Sequence, residues 1–292
     1  MAKFTIRSFN AMFPDDGAAL DWLRDFLYPE GITCKLCKRV TKHYKVESRR
    51  SYSCAECGHH VHPTAGTIFH KSSTPLKTWF HAIYLIASSK GGISARRVQD
   101  QIGVTYKCAW RMCKQIRSML DEDIGPLASP VEMDETYMGG RRKGKMGRPM
   151  RGDKTHTPVL GIAQRRGKAK AFAIETPDGQ TLVSHALAHI EPNAIVYTDQ
   201  WQGYRGLAYS ASRFDHRTIR HRDEYWVDGD RHTNNVEGLW SLIKRGINGS
   251  YRHVSKKYLQ HYLNEFTFRW NHRKDERPTF LSALDRLAAK RA

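Results

Sequence analysis

Val131-Glu132-Met133-Asp134-Glu135-Thr136-Tyr137-Met138 reads as a β-strand with a carboxylate, Asp134, in its interior. Burying a carboxylate without a partner is costly, so Asp134 needs a hydrogen-bond donor or a cation. Two-residue alternation puts Glu132 on the same face and turns Glu135 the other way. Upstream, Asp121 to Pro130 carries Gly125, Pro126 and Pro130 and breaks the preceding helical pattern, so a new domain starts there. Downstream, Gly139-Gly140 opens a loop holding Arg141, Arg142, Lys143, Lys145, Arg148, Arg151 and Lys154 against Asp153 alone. Loops longer than about 12 residues are usually functional or disordered, so this one is either a polyanion clamp or a solvated insertion. Pro158 to Ala163 and Ala169 to Glu175 then read as strands joined by the turn Arg165-Arg166-Gly167-Lys168. Thr181 to Ile190 reads as a helix, and Ala194 to Thr198 as a buried strand ending at Asp199. Strands, a helix, another strand and further helices predict a mixed α/β sheet domain.

Asp199 follows an apolar run, and ligands of open α/β sheets bind beyond strand ends. A helix amino-terminal cap is an equally good reading of that residue alone. In Asn234-Asn235-Val236-Glu237-Gly238-Leu239-Trp240-Ser241-Leu242-Ile243-Lys244-Arg245, the residues Val236, Leu239, Trp240 and Ile243 form one apolar stripe at helical spacing. Asn234, Glu237, Ser241 and Lys244 form a second, polar stripe, with Glu237 and Lys244 two turns apart on one side. Gly246 is expected to stop this helix. Asn234 as cap with Glu237 three residues on is the alternative, purely structural reading.

Nearer the amino terminus, Pro75 to Ile86 predicts a buried helix. Ser94 to Gln101, a turn at Gly103-Val104 and Thr105 to Leu120 then follow a helix-turn-helix pattern. In that motif the second helix enters the major groove, where Lys107, Arg111 and Lys114 would touch phosphates and bases. A plain helical hairpin fits nearly as well. Cys108 and Cys113 on the second helix are read as packing residues. Cys34, Cys37, Cys54 and Cys57 form two C-x-x-C knuckles with sixteen residues between them, the spacing of a tetrahedral four-thiolate zinc site. Lys35, Lys38, Arg39, Lys42, Lys45, Arg49 and Arg50, against Glu47, make the intervening hairpin basic, which suits either phosphate binding or a solvated surface.

The 292 residues carry a net charge of +19, with 48 Lys and Arg against 29 Asp and Glu, which favours a polyanionic partner such as nucleic acid. At 40% hydrophobic and 26% charged residues the chain is not compositionally disordered. No apolar run approaches the roughly 18 residues of a membrane span. The start Met1-Ala2-Lys3-Phe4 lacks a secretory apolar stretch, so the expected location is cytoplasmic and nucleoid-associated, with reduced cysteines.

Together the ribbon knuckles, Thr64-Ala65-Gly66-Thr67-Ile68-Phe69-His70, Asp134 to Gly140, Thr198-Asp199-Gln200-Trp201-Gln202-Gly203-Tyr204 and His232-Thr233-Asn234-Asn235-Val236-Glu237-Gly238-Leu239-Trp240-Ser241 resemble bacterial insertion-sequence transposases with an amino-terminal zinc ribbon. The resemblance runs from about residue 15 to about 275, in the family's order. It implies a ribonuclease-H-like DDE catalytic core with Asp134, Asp199 and Glu237 as the acidic trio holding two Mg²⁺ (or Mn²⁺) ions. It also implies Lys244 as the basic residue beyond the third acid, and Asn234 close to the site. The implied organisation is a zinc ribbon region (1–70), a helix-turn-helix-like module (71–125), the catalytic domain (126–275) and a basic helical tail (276–292). The implied partner is DNA, both element ends and target, bound by a dimer or larger homo-oligomer, since two ends must be joined. Two other readings of the same residues are a non-catalytic DNA-binding regulator and a ribonuclease-H-like junction nuclease.

Overall fold

A computed structural model describes residues 4–139, 156–209, 213–219 and 233–289. The chain divides into two compact units: one of residues 1–89, 93–119 and 275–292, the other of residues 90–92 and 120–274. Among the described residues no helix is long and apolar enough to cross a membrane.

The first unit opens with α1 (Ile6–Met12) and α2 (Asp16–Leu27), two helices that precede the ribbon. Each starts on a side-chain cap, Thr5 accepting from the Ser8 amide and Asp15 from the Ala18 amide, which satisfies amides a helix start leaves free. The ribbon is an antiparallel three-stranded sheet, β1 (His43–Val46), β2 (Ser51–Cys54) and β3 (His60–Val61), in that order. Three helices follow: α3 (Leu76–Ser88), α4 (Ala95–Ile102) and α5 (Tyr106–Met119). Ser94 caps α4, and Gly103 ends it in the left-handed conformation at φ 68°. The Thr105 hydroxyl accepts from the Cys108 amide at the start of α5. The helix-turn-helix pattern thus rests on three short-range signals: a cap, a stop and a second cap.

The second unit holds a five-stranded mixed sheet of β4 (Val131–Met138), β5 (Thr157–Gln164), β6 (Ala169–Ala173), β7 (Ala194–Thr198) and β8 (Phe214–Thr218). Its order is β6-β5-β4-β7-β8, with β4, β5 and β6 antiparallel and β7 and β8 parallel to β4. This is the mixed α/β sheet expected of the core, with β8 as an edge strand that the hydrophobic pattern did not reveal. Its sequence, Phe214-Asp215-His216-Arg217-Thr218, is mostly polar because its side chains are mostly exposed or half-buried.

On one face, α6 (Gly179–His189) and α7 (Arg205–Tyr209) bury Leu182, Ala186 and Leu207 against Met133, Leu160, Ile162 and Val196. On the other, α8 (Asn234–Gly246) and α9 (Lys256–Asn271) bury Val236, Leu239, Trp240, Ile243, Leu263 and Phe266 against Val159, Ala163 and Ala171. On β5, residues 159 and 163 thus point one way and 160 and 162 the other, as a strand with both faces covered requires. Gln260 of α9 takes up the β6 edge, accepting from the Ala173 amide at 2.9 Å and donating to the Ala171 carbonyl at 2.9 Å. That closes backbone groups an edge strand would otherwise expose.

Two expectations are corrected here. Gly246 does not stop α8: Ile247 keeps helical φ and ψ, and the chain continues as a π-helical turn, Ile247–Tyr251. The glycine answers a packing need instead, since a Cβ there would lie 2.0 Å from Phe266 Cζ on α9. The cap of α8 is Thr233 rather than Asn234, and its hydroxyl donates to Glu237 Oε1 at 2.9 Å rather than accepting from a backbone amide. Residues 276–292 group with the first unit, where α10 (Thr279–Ala289) packs on α3 and Phe280 meets Phe9, Phe13 and Tyr84.

Candidate active site and metal centre

The β4–β7 pairing decides how the first two carboxylates meet. The strands run parallel with Glu132 opposite Tyr197, so two residues further on Asp134 comes level with Asp199, just beyond the end of β7. The Oδ1 atom of Asp199 accepts from the Trp201 amide at 3.0 Å, which turns the chain away from the strand. The helix-cap reading is not met, since Trp201 caps the helical turn that follows; Asp199 makes a local turn bond at the carboxyl end of a buried strand.

Glu237 arrives on α8, which packs across β4 and β5. One turn after it, Trp240 Nε1 donates to Asp134 Oδ2 at 2.8 Å, tying the helix directly to the strand. The indole reaches Asp134 because the residue paired with Asp134 across the sheet is Gly161. A Cβ at Gly161 would lie 2.6 Å from Trp240 Cζ2, 2.7 Å from Cη2 and 3.0 Å from Val236 Cγ2. Burial raises the Asp134 pKa above its ordinary value; the Trp240 hydrogen bond opposes that, and the charges of Asp199 and Glu237 add to it. A divalent cation would relieve the same repulsion, and three carboxylates are the hard oxygen donors Mg²⁺ prefers.

Glu237, Asn234 and Lys244 are exposed, on one side of α8. Among the described residues the carboxylates do not form a group of three with ligand atoms within 4.8 Å of one another; only the four ribbon cysteines do. Arg141, Arg142, Lys143, Lys145 and Arg148 lie outside the described residues.

Two residues at this site were not singled out as functional from the sequence. Trp240 read only as part of an apolar stripe, although its indole N–H needs a partner once buried. Gly161, inside an apolar strand, carried the usual signal of a close approach. A third carboxylate of β4, Glu135, faces the opposite side and accepts from the buried Tyr204 hydroxyl at 2.6 Å. Burial and the Glu135 charge push the Tyr204 hydroxyl well above its ordinary pKa, so it stays a donor.

In the ribbon, Cys34 and Cys57 Sγ lie 3.5 Å apart and Cys37 and Cys54 Sγ 3.9 Å apart. A tetrahedron of zinc–sulfur bonds of about 2.3 Å has edges of about 3.8 Å, so the four thiols fit one zinc ion. The Thr41 hydroxyl, hydrogen-bonded to Cys54 Sγ, holds that thiol down to about 6. Of the hairpin's basic residues, Arg39 pairs with Glu56, Lys45 with Asp21 and Arg50 with Asp16. Lys35, Lys38, Lys42 and Arg49 remain as exposed charges. On α5, Lys107 and Arg111 are exposed and Lys114 is half-buried. Arg111 donates to Ser72 Oγ at 3.3 Å and lies over the Trp79 ring. Cys113 is buried and Cys108 Sγ rests against Met112 Sδ, as packing residues do.

Comparison with known proteins adds family to geometry. Residues 126–271 match the ISXO2-like transposase domain and residues 14–60 the transposase zinc-ribbon domain. The chain is 27% identical over 272 residues to an uncharacterised protein in transposable element ISH50 of Halobacterium salinarum, covering 88% of this chain and 91% of that one. It is 27% identical over 106 residues to an uncharacterised transposase-like protein of Haemophilus influenzae, covering 36% of this chain and 83% of the relative. Among solved structures, the Mos1 strand transfer complex aligns over 70% of this chain and 77% of that one at 11% identity, with a TM-score of 0.24.

Proposed function

The chain belongs to the ISXO2-like transposase family, and from that premise we propose that it binds the ends of its own element, cleaves phosphodiester bonds there and joins the freed 3′ hydroxyls to target DNA. The observation that carries the reading is the strand-to-helix link between Trp240 and Asp134, with Asp199 level on the neighbouring strand and Glu237 one turn before the indole. Three acids from separate elements thereby share one neighbourhood in a chain that is otherwise strongly basic.

Asp134, Asp199 and Glu237 would hold two divalent ions, which when bound activate the attacking oxygen and stabilise the leaving one. Asp134 would do so with a carboxylate whose orientation the Trp240 indole holds. Asp199 would contribute from a turn fixed by the Trp201 amide. Glu237 is exposed, and the Thr233 hydroxyl donates to its Oε1. Lys244 cannot ligate a metal while protonated and serves to hold a DNA phosphate two turns along the same helix face. Asn234 lies at the exposed start of that helix, where on this reading it is near the site. Lys107, Arg111 and Lys114 hold DNA along α5, and Arg141, Arg142, Lys143, Lys145 and Arg148 clamp it from the loop after β4. One site serves cleavage and joining, because a 3′ hydroxyl replaces water as nucleophile in the second step. Synapsis of two ends calls for a dimer or larger assembly.

The test uses DNA carrying the sequences that flank the coding region. Wild-type protein with Mg²⁺ nicks these ends and forms joined products, while Asp134→Asn binds them without cutting. Binding without nicking by the wild type would refute the catalytic reading, and cutting of branched DNA without joined ends would identify a junction nuclease.

A further inference from the structure

Glu132 takes no part in the chemistry above, yet it is fully buried in the same face of the sheet. Four donors converge on it. Oε2 accepts from the Asn235 amide at 2.8 Å and the Val236 amide at 3.1 Å, and Oε1 from Asn235 Nδ2 at 2.9 Å and Arg165 Nε at 3.0 Å. Asn235 Oδ1 in turn accepts from the Arg166 amide at 3.4 Å, and the Arg165 guanidinium lies 4.0 Å over the Tyr197 ring. One carboxylate therefore gathers β4, the β5–β6 turn, the strand that ends just before Asp199 and the first turn of α8.

The energetics favour this arrangement. A helix start leaves its first amides without intrahelical partners and carries positive dipole charge, so a carboxylate aimed at it is doubly satisfied. A buried ion pair repays desolvation only when its remaining lone pairs are hydrogen-bonded, as they are here. The Thr233 hydroxyl is committed to Glu237 and makes no backbone cap, so the capping function has passed to a residue about a hundred positions away in the chain.

We propose that Glu132 is a positioning residue that seats the amino terminus of α8 on β4 and so sets Glu237 against Asp134. Glu132 and Asp134 are alternate residues on one face of the strand, and Asn235 and Glu237 are two residues apart on the helix, so a shift at the first pair is passed to the second within half a turn. The catalytic consequence rests on the two-metal reading; the seating itself does not.

The experiment compares the wild-type full chain with Glu132→Gln, whose amide nitrogen would face a donor in place of an acceptor, and with the milder Asn235→Ala, which keeps both backbone bonds. Hydrogen exchange without added Mg²⁺ is expected to accelerate across residues 234–240 in Glu132→Gln and less in Asn235→Ala, with β5 unchanged. In cleavage assays Glu132→Gln is expected to need about tenfold more Mg²⁺ for half-maximal rate, the scale on which residues supporting metal ligands act. Its rate at saturating Mg²⁺ recovers to near the wild-type value. A merely structural role would lower the rate at every Mg²⁺ concentration without moving the half-saturation point, and that result overturns the proposal. So does unchanged exchange at 234–240. If Glu132→Gln fails to fold, Asn235→Ala decides by the same two criteria. A wild type that never nicks DNA refutes the catalytic reading and leaves the exchange comparison to decide the seating.

Discussion

Gly161→Ala isolates the packing that joins helix to strand. The new Cβ would meet Trp240 at 2.6 and 2.7 Å and Val236 at 3.0 Å, where carbon–carbon separations relax at about 3.5 to 4.0 Å. The indole must move by roughly 1 Å, which stretches its 2.8 Å bond to Asp134 beyond hydrogen-bonding range. Overpacking of this kind costs about 1–3 kcal/mol. A central value of about 2 kcal/mol lowers the melting temperature of a unit this size by roughly 4–8 °C. The backbone adds no strain, since Gly161 is in ordinary strand conformation with no positive φ. Trp240→Phe removes the two closest atoms and leaves only the 3.0 Å approach to Val236, so in that background Gly161→Ala should cost much less. The two changes should couple by most of the wild-type cost, well outside the roughly 0.5 kcal/mol scatter of independent sites. Urea unfolding read by hydrogen exchange of β5 and α8 peptides keeps the ribbon's own unfolding out of the measurement. Equal cost of Gly161→Ala with and without Trp240 would refute the reasoning.

Three further outcomes are expected. Asp134 has a raised pKa in the folded chain, so the fold binds that proton more tightly than the unfolded chain does; the proton's contribution to stability is full below about 4 and is lost as pH rises through the folded value. Asp134→Asn should therefore melt higher than wild type at pH 7 without metal and nearly level at low pH, and Mg²⁺ should stabilise wild type alone; a variant that melts lower at pH 7 contradicts this. Metal analysis should find about one zinc per chain, and Cys34→Ser should lose it and expose the β1–β3 amides while strands β4 to β8 keep their protection; full zinc occupancy in the variant would count against the four-thiolate site. Lys107→Ala with Arg111→Ala should flatten the salt dependence of DNA affinity by about 0.9 in log–log slope for each phosphate left without its cation, whereas an unchanged slope would remove α5 from the interface.

Much of the second unit was legible in the sequence because its signals are local. The β4 and β7 strands, the β5–β6 hairpin and α8 follow from runs, turns and stripes within about a dozen residues. Asp134 stood out because a carboxylate inside a strand demands a partner. Gly246 was misread for the same reason that local reading succeeds elsewhere: a glycine after a helical stripe usually stops it, and only the position of Phe266 on α9 shows why this one does not. The β8 strand carried no signal, since an edge strand with polar side chains looks like a loop until β7 pairs with it.

By itself the sequence picked out the candidate residues: two cysteine knuckles, an acid within a strand, an acid at a strand end, an acid on an amphipathic helix, and a basic chain around them. Those are properties of residue type and short spacing. Only the tertiary structure decided what each acid of β4 does, because Glu132, Asp134 and Glu135 are equivalent in type and nearly adjacent in sequence. Glu132 meets the free amides of α8, Asp134 meets the Trp240 indole over Gly161, and Glu135 meets the Tyr204 hydroxyl. Their difference lies in partners about 70 to 105 positions away, and strand register and helix packing select those partners.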